Sequence, residues 1–97
     1  MTEPESALQN MEPATWSTED GTAYEVALEG INHVVGAYSR LIAEAKTATD
    51  TARVETLTAE RRGWAARRGS LTPADRAEVD AVTAECARLL AQLRGTA

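Results

Sequence analysis

Ninety-seven residues with a net charge of −5 describe one small acidic domain, a size that buries only about two-thirds of its unfolded surface. That excludes a large enzyme with its own scaffold, a two-domain protein and a membrane channel. Leu, Ile and Val total 16, Phe is absent and 19 residues are Ala, so the chain reads as a thin helical protein of marginal stability.

The first 20 residues hold five acids (Glu3, Glu5, Glu12, Glu19, Asp20) and no base. Two of the three prolines fall within residues 1–16, where no apolar period is visible. This predicts a flexible acidic arm over 1–16, followed by a single helical domain over 17–97. The opening Met1-Thr2-Glu3-Pro4-Glu5 lacks the basic start and apolar run of a signal peptide. No stretch approaches the roughly 18 apolar residues of a membrane span. The lone Cys86 has no internal disulfide partner. The expectation is a soluble cytoplasmic protein without membrane contact.

The first helix is predicted over about 18–46. Ser17-Thr18-Glu19-Asp20 and Thr22-Ala23-Tyr24-Glu25 both match a capping box, in which a hydroxyl and an acid three residues on satisfy free N–H groups. Tyr24, Leu28, Ile31, Val35, Tyr38, Ile42 and Ala45 then recur at spacings of four and three, the period of an amphipathic helix. Ala27, Val34 and Leu41 widen that stripe, so this helix meets more than one neighbour. Two glycines, Gly30 and Gly36, interrupt it at a cost of roughly 1 kcal/mol each relative to Ala. They are either tolerated or mark the close approach of another backbone.

Between Lys46 and Thr51 the period lapses among three threonines, which weaken a helix interior. The reading is a break, with Asp50 or Thr51 capping a second helix over about 51–68 that carries Val54, Leu57 and Trp64. One continuous helix to about Arg68 is the alternative. Gly69-Ser70-Leu71-Thr72-Pro73 signals a stop and a restart, with Thr72 as cap, Pro73 in the first helical position and Asp75 two residues further. The third helix, about 73–94, carries Val79, Val82, Cys86, Leu89 and Leu93. No segment alternates with period two. The expected class is all-α, either a small three-helix bundle or a long helical hairpin.

Residues that could carry chemistry are few. His33 is the only histidine, so no two-histidine metal site is available, and no glycine-rich phosphate-binding run is present. Cys86 falls on an apolar stripe and reads as a small buried hydrophobe. No catalytic, metal or cofactor residue is assigned, and the expectation is a protein that is not an enzyme. Arg61, Arg62, Arg67 and Arg68 surround Trp64 in the one basic cluster. Read structurally they are a solvated helix end over a core plug; read functionally they are a secondary partner patch, or a grip on single-stranded nucleic acid. The acidic balance of the chain argues against the last.

The segment Leu28-Glu29-Gly30-Ile31-Asn32-His33-Val34-Val35-Gly36-Ala37-Tyr38-Ser39-Arg40-Leu41-Ile42 resembles the first helix of the epsilon-type antitoxins. These are short, acidic, all-helical proteins that pair with zeta-type toxin kinases. The shared features are a Glu before an Ile-Asn pair, then small residues leading to Tyr, a polar residue, Arg and two aliphatics. The likeness spans about 15 to 20 residues, with a one-residue slip before Tyr38. It implies a three-helix bundle whose first helix plugs the nucleotide site of a P-loop kinase toxin, its acids and aromatics competing with the phosphates. Glu29 matches one such acid, whereas His33 stands where a second acid is expected. Tyr24, Glu25 and Val26 are near the expected aromatic contacts but out of register. The partner-binding set implied for this chain is therefore Tyr24, Glu25, Glu29 and His33. The leading expectation is an antitoxin-like inhibitor of a larger protein. The rivals are a self-associating helical scaffold, that is a homo-oligomer, and a small nucleic-acid-binding regulator.

Overall fold

The computed structural model describes residues 16–95, so the proposed flexible arm lies outside the described residues except for Trp16. The described residues are 88% helical, with three helices and no strand. We label these α1 (Thr18–Thr47), α2 (Thr51–Ser70) and α3 (Arg76–Gly95). Together they form a small three-helix bundle. Among the described residues, no helix is long and apolar enough to cross a membrane.

Local chemistry sets where each helix begins. Of the two candidate capping boxes at the start of α1, the first forms. Asp20 N–H donates to Ser17 Oγ at 3.1 Å, and Ser17 N–H donates to Asp20 Oδ2 at 3.1 Å. The break after α1 is real, and it excludes a continuous helix. Thr49 takes a positive φ of 58°, its N–H bonds to the Lys46 carbonyl, and Asp50 N–H reaches back to the Ala45 carbonyl at 2.9 Å. This pair of bonds is a Schellman motif, which satisfies the last carbonyls of α1. Asp50 then caps α2, its carboxylate accepting from Arg53 N–H at 3.2 Å.

Two predicted boundaries are corrected. α2 runs through Gly69 to Ser70 rather than stopping at 68, because Gly69 keeps ordinary helical dihedrals and only Leu71 turns extended. α3 begins at Arg76 rather than 73. Thr72, Pro73 and Ala74 form a turn, in which Thr72 Oγ1 accepts from Ala74 N–H and the Thr72 carbonyl from Asp75 N–H. Asp75, not Thr72, caps the helix, accepting from Glu78 N–H at 3.1 Å. A carboxylate beside the free N–H groups is the stronger cap.

Side-chain contacts give the directions of packing. Arg61 donates to Ser39 and Arg68 to Asn32, so seven residues forward on α2 are seven residues back on α1. The two are antiparallel. Arg76 donates to Asp20, and Cys86 lies against Gly30, so ten residues forward on α3 are ten forward on α1. These two are parallel. α1 is therefore a spine on which α2 and α3 dock side by side, with no close backbone approach between α2 and α3 themselves.

The core follows that register. Ala27, Ile31, Val34, Val79, Val82 and Cys86 close the seam between α1 and α3. Tyr38, Ile42, Ala45, Leu57 and Trp64 close the seam between α1 and α2. Tyr24, Val35, Val54 and Leu89 from the predicted stripes are only half-buried at its edges. At the first seam, a Cβ added to Gly30 would lie 3.2 Å from Cys86 Cβ. Gly30 thus permits the close helix crossing, whereas Gly36 meets nothing within 4 Å and is merely tolerated.

Candidate functional site

The staggered docking leaves part of α1 bare. By the register above, the end of α2 comes level with about Gly30, at 1.5 Å of rise per residue. The N-terminal half of α1 then has only α3 beside it. Ala27, Ile31 and Val34 point into that seam. At 100° per residue, Glu25 and Glu29 fall on the far side of the same helix. Both are exposed.

Here the structure gathers three of the four residues expected to bind a partner. Tyr24, Glu25 and Glu29 line one open recess of about 520 Å³, together with Thr22, Val26, Leu28 and Asn32. Tyr24 and Leu28 are half-buried and give it an apolar floor. His33 is exposed one turn beyond Glu29 and does not line the recess. In the sequence Leu28 belongs to the apolar stripe, Thr22 to the second candidate capping box and Asn32 to the Ile-Asn pair, and none of the three is marked as part of a binding recess. Their only signal in the sequence is a position one turn from Tyr24, Glu25 or Glu29, which does not say that the neighbouring helix ends there.

The strip continues towards the start of α1. Glu25 and Thr22 also border a second recess of about 410 Å³, formed with Trp16, Ser17, Thr18 and Gly21. Trp16 rests on the first turn, its indole 3.8 Å from where a Cβ of Gly21 would be. Trp16 and Val26 are the exposed large hydrophobics among the described residues, at 42% and 48%. Glu25 and Glu29 form no ion pair among the described residues. The result is a strip of mixed polar and apolar lining that presents the Glu25 and Glu29 carboxylates to solvent.

The basic cluster has a different character. Trp64 is only 8% exposed and is roofed by Arg67, whose guanidinium lies 4.6 Å from the ring centroid. Arg67 also reaches Glu85 at 3.0 Å and Glu78 at 3.3 Å, tying α2 to α3. Desolvation works against its charge, but the two carboxylates outweigh that and raise its pKa. Arg61 and Arg68 are spent on Ser39 and Asn32. Of the predicted patch, Arg62 is the one arginine that is exposed without a partner among the described residues. The indole is not offered to a stacking base.

Two buried groups titrate away from their usual range. Burial, helped by Glu60, raises the Tyr38 hydroxyl. Burial also raises the Cys86 thiol, against an opposing pull from Arg67. Both stay neutral near pH 7, so neither is an activated nucleophile. Among the described residues no group of three His, Cys, Asp or Glu side chains is placed to hold a metal ion. No family model matches the chain, nor does any curated protein or solved structure.

Proposed function

We propose that this chain is a protein-binding module that acts through the bare N-terminal half of α1, as an antitoxin-like inhibitor of a nucleotide-binding toxin kinase. The observation that carries the reading is the exposed acidic edge at Glu25 and Glu29, without an ion pair among the described residues, beside the half-buried Tyr24 and Leu28. Free carboxylates on a rigid helix complement a cationic phosphate pocket. Such complementarity speeds association and selects the partner. A helix already folded and capped binds without an ordering cost, which favours affinity. The resemblance of residues 28–42 to epsilon-type antitoxins supports the same partner class, with Glu29 as the shared acid. His33, outside the recess, takes a flanking role.

The test is Glu29→Arg in the full chain. Arg is a good helix former, so circular dichroism should be nearly unchanged. Capture of a zeta-type kinase should fall sharply, since a like charge in a desolvated phosphate site costs several kcal/mol. ATP should compete with the wild-type complex. Wild-type capture by the variant, or a complex indifferent to ATP, would refute the plug.

A further inference from the structure

The outward face of α2 carries a charge pattern that is complementary to itself. Leu57 and Trp64 turn inward, so Ala52, Ala59 and Ala66 form the exposed centre line opposite them. On one flank of that line stand Glu55 and Arg62, two turns apart and both exposed. Neither has a hydrogen-bond or ion-pair partner among the described residues. The other flank holds Thr56 and Gly63, which are uncharged.

We propose that this face pairs with the same face of a second copy, α2 against α2, antiparallel about a twofold axis beside Ala59. A twofold contact requires a surface that complements itself. Glu55 and Arg62 lie equally far on either side of the point between Thr58 and Ala59. Rotation about that point sets Glu55 of each copy opposite Arg62 of the other. Direction follows from the flanks. Antiparallel helices set like flanks together, whereas parallel ones would set the charged flank against Thr56 and Gly63. The alanines between the charges allow the helices to approach to the short end of the usual 8–10 Å spacing. They bury little apolar surface, so the pairing is weak and governed by its charges. The bare strip of α1 lies towards the other end of the molecule, so the pairing neither covers it nor depends on its role.

Sedimentation equilibrium of the full chain tests this. The wild type should show a reversible monomer–dimer equilibrium that weakens with salt. Glu55→Arg or Arg62→Glu alone should weaken it about tenfold, because attraction becomes repulsion at both ends of the contact. The double swap, Glu55→Arg with Arg62→Glu, should restore it. Circular dichroism guards against unfolding in each case. For direction, Ala59→Cys should oxidise to a covalent dimer while Ala52→Cys should not. Two Ala52→Cys thiols would stand about 20 Å apart, well beyond the ~7 Å that a disulfide tolerates between Cα atoms. A wild type that stays monomeric at every soluble concentration overturns the pairing. So does a double swap no better than the single changes, or equal cross-linking at positions 52 and 59.

Discussion

Gly30 and Gly36 are the same residue in the same helix, six positions apart, with opposite meanings. Each forfeits roughly 1 kcal/mol of helix propensity relative to Ala. At Gly36 nothing opposes the extra methyl, so Gly36→Ala should raise stability by about 1 kcal/mol. That is a rise of about 4–8 °C in Tm for a domain of this size. At Gly30 the methyl would press on Cys86 Cβ from 3.2 Å. That neighbour is fixed to the α3 backbone, so the helices themselves must part. Overpacking of this kind costs about 1–3 kcal/mol, and Gly30→Ala should be neutral or destabilising. Paired thermal melts decide it; an equal gain from both changes would show that the crossing is looser than described. Helix period places Gly36 opposite the apolar stripe and Gly30 at its edge, but it does not reveal that α3 approaches closely enough there to exclude a methyl.

At the scale of elements, the α1–α2 connection rests on one residue poorly suited to its conformation. Thr49 sits at a φ of 58°, where glycine or asparagine is usual and a β-branched side chain is strained by about 1–2 kcal/mol. Thr49→Gly should therefore stabilise the protein by about 1 kcal/mol and leave the hairpin unchanged. Chemical denaturation with an unaltered dependence on denaturant would confirm it. A loss of stability would mean that Thr49 makes a compensating interaction. This position explains why the sequence allowed both a break and a continuous helix. A glycine there would have announced the turn, whereas threonine gave only a lapse in the apolar pattern. The start of α3 differs from the sequence expectation for a related reason. Thr72-Pro73 and Asp75 both carry start signals, and the turn at Pro73 and Ala74 leaves the capping to Asp75.

At the scale of the whole molecule, α2 and α3 are joined to each other by side chains rather than by backbone packing. Arg67 bridges them through Glu78 and Glu85, and Arg76 fastens the start of α3 to the start of α1 through Asp20 at 2.8 Å. The Arg76 bond, followed by the Ser17 N–H, holds the Asp20 carboxyl below its ordinary value of 3.8. Because the folded pKa is the lower one, this contribution is fully present above the ordinary value. It is lost as pH falls through the folded value. On acidification the wild type should lose stability faster than Asp20→Asn, and their Tm curves should converge at the acid end. Parallel curves would show that the Asp20–Arg76 contact is not a fastening. The pair joins residues 56 apart in the chain, a tie that the local pattern of neither segment reveals.

What the sequence alone determined was helical: a capped start to α1 between Ser17 and Thr22, the inward stripes, the burial of Cys86 and Trp64, and the absence of any strand pattern. Such properties depend on neighbours within two turns, and local chemistry suffices to decide them. Tertiary structure alone decided the parallel docking of α3, the role of Gly30, and the engagement of Arg61, Arg67 and Arg68 in holding helices together. It also decided that α2 ends beside the middle of α1, leaving Glu25 and Glu29 exposed and Tyr24 and Leu28 only half-buried. An amphipathic period shows which face of a helix is apolar. How far a neighbouring helix covers that face depends on the length and direction of elements many residues away.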